Sequence, residues 1–243
     1  MSANRTPPAF RQAGLSDIRH QTSSARKIAK GRHDDTTAPM QPPKEQTLTK
    51  SEATRLKILD AAAFVLARKG YAGTRLDDIA RVAEMKAGSL YYYFSSREDL
   101  VTEVMSIGVN QTSMAVSDKL NALPQGCNSG TRLRTALEAH LLCLIELNDY
   151  ARANSKLNGQ VPKSIQLQHN ANEAKYGKLW RKLFRDLETS GTVRSDINFS
   201  AIRMFTLGAM AWAVEWYRPE NGSPEKLARD FSTFVLDGLR RPD

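Results

Sequence analysis

From Ser51 onward, the apolar residues of this chain recur at helical spacing and nowhere alternate over a useful length. Leu56, Leu59, Ala63 and Leu66 fall at i, i+3, i+7 and i+10, one face of a helix with 3.6 residues per turn. Arg68 and Lys69 precede Gly70, which reads as cations in a last turn followed by a stop. Thr74, with Asp77 three residues on, reads as the cap of a second, short helix that aligns Leu76, Ile79 and Ala83. The stretch EMKAGS turns tightly into a third short helix ending near Phe94. Ser96 with Asp99 opens a longer helix to about Leu120. Pro124, Gly126 and Gly130 mark a loop, and further helices follow at about 131–149, 163–190, 199–217 and 224–239. The fold class is all-α, without an internal repeat.

Three helices joined by short turns, the last two short, describe a helix-turn-helix unit whose third helix enters the major groove. That third helix carries three consecutive tyrosines in KAGSLYYYFSSRED, residues 86–99. At about 100° per residue they cannot all face inward. With Leu90 and Phe94 on the core side, Tyr92 points outward between Gly88 and Ser89, and Tyr91 and Tyr93 lie at the edges. Phenol hydroxyls donate to phosphate oxygens, and a glycine lets the start of the helix approach base edges. Lys86 and Arg97 bracket the element with charge.

The formal net charge of +9 favours a polyanionic partner. Residues 1–50 hold Pro7, Pro8, Pro39, Pro42 and Pro43 among Ser, Thr and Gln, with more basic than acidic residues, and read as a disordered basic tail. The composition also suits an organelle transit peptide, and Met40 offers an alternative start. Two cysteines, Cys127 and Cys143, make no disulfide framework and favour a reducing compartment, so a cytoplasmic location is expected. There is no run of 18 apolar residues, so no membrane span is expected. His140 and Cys143 stand at i, i+3 without a second pair, so they read as structural and no metal is expected. No phosphate loop, nucleophile elbow or paired-carboxylate signature is present, so neither an enzyme nor a cofactor is expected.

In the second half, FSAIRMFTLGAMAWAVEWY (residues 199–217) is apolar nearly all round, so it is covered on two sides. One side suits the subunit's own core and the other a second copy, with Leu227, Phe231, Phe234 and Val235 completing a four-helix seam. Glu215, inside that run, is expected to pair with Arg203 or Arg218, or to lie at the seam. Tyr176, Trp180, Leu183 and Leu187 form a stripe that suits either core or an apolar cavity. A cavity lined partly by Leu144, Trp180, Phe184, Met210 and Val214 is expected.

The segment RLKILDAAAFVLARKGYAGTRLDDIARVAEMKAGSLYYYFSSREDLVTEVM, residues 55–105, resembles the DNA-binding domain of TetR-type transcriptional regulators. Beyond it, the resemblance is one of helix order. It implies a homodimer on double-stranded operator DNA, with a helix-turn-helix domain at 51–97 and a helical ligand-binding and dimerisation domain at 98–243. By position it implies that Lys86, Ala87, Gly88 and Ser89 lie nearest the bases, and that Tyr91 touches a thymine methyl or the backbone. Tyr92, Tyr93 and Arg97 match phosphate-contact positions, and Thr74 matches the cap whose helix N-terminus meets a phosphate. Met85 and Lys86 depart from the family's usual turn. The run AMAWAVEWYRPENGSPEKLARDF resembles members released by acyl-CoA thioesters, which implies a ligand-responsive repressor with a long apolar effector whose anionic end meets Arg or Lys. The rival reading is a helical interaction protein, or a coater of nucleic acid that uses its tail.

Overall fold

A computed structural model describes residues 48–146 and 149–241; the expected tail, and Met40 within it, lie outside the described residues. The elements are helices: α1 (Lys50–Gly73), α2 (Leu76–Val82), α3 (Ala87–Leu90), α4 (Arg97–Asn121), α5 (Ser129–Ile145), α6 (Asp149–Leu157), α7 (Lys163–Glu188), α8 (Phe199–Trp216) and α9 (Pro224–Leu239). Beyond these come a 3-10 turn at Pro219–Asn221 and one isolated bridge between Val193 and Arg240.

Local chemistry sets most boundaries. Thr49 caps α1, accepting from the Glu52 N–H while Glu52 accepts from the Thr49 N–H, a reciprocal pair. Gly70, at φ 67°, breaks the regular course of α1 where the sequence placed its stop. Ser96 accepts from the Asp99 N–H and opens α4 as expected. The α2 cap differs from expectation by one residue. Arg75 occupies it, its N–H donating to Asp78, while the Thr74 hydroxyl donates to the Gly70 carbonyl at 2.7 Å.

Two cores are built on these helices. The first joins Ile58 and Leu66 of α1, Ile79 of α2, Leu90 of α3 and Leu100 and Val104 of α4 to Ala153 and Leu157 of α6. The second joins the far half of α4 to α5, α7, α8 and α9 around Leu137, Trp180 and Met210. So α4 belongs to both cores, and α6 lies directly against α1 and α4. Helix α6 had no counterpart in the sequence reading. It offers only Ala151, Ala153 and Leu157 as buried positions among polar residues, too little apolar periodicity to stand out.

Candidate nucleic-acid interface and ligand cavity

Helix α3 is short because its hydrogen-bonded course ends at Leu90, after which turns carry the chain through Tyr93. The Phe94 N–H still donates to the Leu90 carbonyl, so the two residues stack inward as the wheel requires, both buried. The opposite side is open. Tyr92 is 84% exposed and Tyr91 59%, while Tyr93 is half-buried and meets Tyr92 edge to face at 5.2 Å. Lys86, Gly88 and Ser89 are exposed and Ala87 half-buried, and a Cβ on Gly88 would meet nothing within 4 Å. Seven of the nine expected contact residues therefore share one accessible surface, with Ala87 and Tyr93 at its border.

The remaining two, Thr74 and Arg97, are positioned otherwise. Thr74 is 3% exposed and spends its hydroxyl on Gly70, so its side chain cannot reach a phosphate. Arg97 donates to the carbonyls of Tyr71 and Thr74 and lies 4.0 Å over the Tyr71 ring. It fastens the start of α4 to the α1–α2 connection, because two half-buried carbonyls and an aromatic face are nearer than solvent. A cation that sequence reasoning missed is Arg75, exposed at the N-terminus of α2 and adjacent to the residue taken for the cap.

The turn between α2 and α3 is fixed by backbone bonds. The Met85 N–H donates to the Ala80 carbonyl at 2.9 Å across Glu84, which adopts φ 55°. This closes a helix end in the left-handed conformation that favours glycine.

Between α4, α5, α6, α7 and α8 lies a cavity of about 340 Å³. Of the expected lining residues it takes Leu144 and Trp180. Phe184 and Met210 are buried in the second core, outside the lining, because their faces of α7 and α8 point toward neighbouring helices. Val214 borders a separate depression with Arg68, Arg152, Lys156 and Arg218. The cavity lining holds one charged residue, Glu173, and neither Lys nor Arg. The expectation of cations beside the ligand is therefore not met in this lining; the basic residues stand on the other side of α6.

His140 and Cys143 take separate partners. His140 Nδ1 lies 2.7 Å from the Tyr176 hydroxyl, and Cys143 Sγ lies 3.7 Å from Thr112 Oγ1. Burial pulls the His140 imidazole down to about 4, so the ring is neutral. Glu215 pairs with Lys156 at 3.2 Å rather than with Arg203 or Arg218. Among the described residues no group of three or more His, Cys, Asp or Glu could hold a metal ion, and no helix is long and apolar enough to cross a membrane.

On the outer side of α8 and α9, Phe205, Trp212, Trp216 and Phe234 are exposed, Phe205 at 72% and Phe234 at 77%. A row of this size exceeds scattered surface apolarity and marks an interaction face. Leu227 and Phe231 are half-buried and Val235 is buried, so only Phe234 of the expected α9 stripe projects fully outward.

Comparison with known proteins agrees with this geometry. A family profile described as "Bacterial regulatory proteins, tetR family" matches residues 58–104, and one described as "Tetracyclin repressor-like, C-terminal domain" matches residues 126–239. The chain is 30% identical over 212 residues to the HTH-type transcriptional repressor KstR2 of Rhodococcus jostii, covering 83% of this chain and 98% of that protein. It is 24% identical over 197 residues to KstR2 of Mycobacterium tuberculosis, covering 77% of this chain and 93% of that one. Among solved structures, AibR in complex with isovaleryl coenzyme A and operator DNA superposes with a TM-score of 0.68 at 19% identity, over 76% of this chain and 99% of that one. The M. tuberculosis KstR2 structure gives 0.66 at 20%, over 77% and 95%.

Proposed function

Since the chain belongs to the TetR family of bacterial regulatory proteins, we propose that it is a transcriptional repressor that binds a palindromic operator as a dimer and lets go when a small apolar effector enters the cavity. The observation that carries this reading is the outward face of α3, where Lys86, Gly88, Ser89, Tyr91 and Tyr92 are accessible while Leu90 and Phe94 anchor the helix. In it, Lys86, Ala87, Gly88 and Ser89 meet base edges, Tyr92 and Tyr93 meet phosphates, Tyr91 meets a thymine methyl or the backbone, and Arg75 adds charge at the N-terminus of α2. Residues 51–97 form the DNA-binding domain, and 98–243 the ligand-binding and dimerisation domain. Residues 1–50 add charge.

The exposed row on α8 and α9 supports pairing with a second copy, whose own α8 and α9 complete a four-helix seam. Two α3 helices must then stand about 34–36 Å apart to read adjacent major grooves. An effector that binds better to a dimer with another spacing weakens DNA binding by its differential affinity for the two states. The acyl group of a CoA thioester is the leading occupant, supported by the likeness to AibR with its isovaleryl coenzyme A. The bulk of coenzyme A then lies outside the cavity.

The test is selection of binding sites from random DNA, followed by release. One palindrome should be preferred over random DNA by several decades, and a short acyl-CoA should release it. Equal affinity for random DNA would leave a protein that merely coats nucleic acid.

A further inference from the structure

One corner of the cavity is polar, and its hydrogen bonds are ordered. His140 of α5 places Nδ1 2.7 Å from the Tyr176 hydroxyl of α7. Trp180, one turn further along α7, keeps its indole N–H buried without a hydrogen-bond partner. The rings of Tyr176 and Trp180 stand 6.0 Å apart, and Trp180 meets His140 edge to face at 5.4 Å. Burial pushes the Tyr176 phenol well above its ordinary range, so the phenol keeps its proton.

Relative acidity then sets the tautomer. A phenol O–H is the better donor of the pair and a bare imidazole nitrogen the better acceptor, so the Tyr176 hydroxyl donates to His140 Nδ1. A neutral imidazole that accepts at Nδ1 carries its proton on Nε2. That Nε2 has no partner among the described residues, and His140 borders the cavity. On α6, Asn154 also borders the cavity, its Oδ1 buried without a donor.

We propose that His140 Nε2–H is the specificity donor of this cavity, and that it reads a carbonyl oxygen on an otherwise apolar and uncharged part of the effector, a ketone or an acyl thioester. Asn154 Oδ1 accepts from a ligand hydroxyl or N–H where one is present. The inference rests on the effector reading above and names the chemistry of the same site. A carboxylate does not suit the cavity: no cation lines it, Glu173 repels it, and a buried anion without a partner is costly. A volume of about 340 Å³ lies at the small end of ligand sites and suits a bicyclic skeleton or a short acyl group.

The test uses two matched pairs on the full chain, 2-decalone against decalin and butyryl-CoA against S-butyl-CoA, titrated by tryptophan fluorescence. In the unaltered protein, the carbonyl member of at least one pair should bind about three- to tenfold more tightly, the range of one hydrogen bond. The pair that discriminates tells ketone from thioester. His140→Phe should bring the ratio to about one while leaving the carbonyl-free member unchanged, and His140→Gln, which keeps an N–H, should restore part of it. Tyr176→Phe, which frees the tautomer, should lower the ratio even if His140→Phe fails to fold. Equal binding within both pairs, or a preference that survives His140→Phe or Tyr176→Phe, overturns the assignment of His140 alone. Failure of all four compounds to bind a protein that still holds its operator overturns both that assignment and the effector cavity.

Discussion

The hydroxyl of Tyr150, on α6, donates to the carboxylate of Asp60, on α1, at 2.7 Å. One hydrogen bond thus ties the helix that borders the ligand cavity to the first helix of the DNA-binding domain. Asp149 of α6 reinforces the tie through Arg68 of α1 at 2.9 Å. Burial raises the Asp60 carboxyl above its ordinary value, the Tyr150 hydrogen bond lowers it, and the nearby Asp149 charge raises it again.

Tyr150→Phe should therefore destabilise the protein by about 1–2 kcal/mol at pH 7, because a half-buried carboxylate loses its donor. The pH dependence has a definite sign. A carboxyl raised in the folded state contributes most stability below its ordinary value and loses it as pH climbs through the raised value. Removing the donor raises Asp60 further, so the penalty should shrink as pH falls from 7 toward 4. Thermal melts of both proteins across that range check this, and a penalty independent of pH would remove Asp60 from the account.

Gly108 of α4 has no room for a side chain: a Cβ there would stand 2.3 Å from the Tyr150 carbonyl and 2.8 Å from Asn154 Cβ. Gly108→Ala should force α4 and α6 apart and cost about 1–3 kcal/mol. Denaturant unfolding measures it, and a change under about 0.5 kcal/mol would mean that the contact relaxes freely.

Gly88→Ala is the opposite case, since its Cβ would meet nothing within 4 Å. The fold should hold its melting temperature or gain slightly, alanine being the better helix former by roughly 1 kcal/mol. Operator preference should change, because the methyl stands on the proposed base-reading face. Site selection giving the same consensus as the unaltered protein would take Gly88 out of base readout.

Tyr92→Phe keeps the ring and removes one hydroxyl that is free on the surface. Operator and random DNA should weaken alike, by roughly 0.5–1.5 kcal/mol. Lys86→Gln should make the dependence of log K on log salt shallower by about one unit. Arg97→Gln should leave that slope unchanged and lower stability by about 1–3 kcal/mol, since its guanidinium serves Tyr71 and Thr74 rather than DNA. Equal slopes for Lys86→Gln and the unaltered protein, or a shallower one for Arg97→Gln, would reverse the two roles.

Phe205→Ser combined with Phe234→Ser removes two large exposed apolar groups from the outer face of α8 and α9. Sedimentation should show a monomer where the unaltered protein is a dimer, and operator affinity should collapse while helicity persists. A dimer that survives both changes would move the seam elsewhere.

What the sequence determined was local. Helical periodicity, the Ser96 cap and the Gly70 stop depend on residues within a turn or two of each other, and they hold in the structure. The outward position of Tyr92 was legible for the same reason, because Leu90 and Phe94 fix the wheel from only four residues apart. What tertiary structure decided was the choice among competing partners. Arg97 looked like a free cation until the Tyr71 and Thr74 carbonyls came within reach from across the domain, and Thr74 looked like a cap until Gly70 took its hydroxyl. Phe184 and Met210 were apolar by composition, yet only the packing of α7 and α8 assigned them to core rather than cavity. His140 gave no signal beyond a lone histidine on a helix. Its neutral state comes from burial that only the assembled helices supply, and its Nδ1 partner is Tyr176, more than thirty residues away.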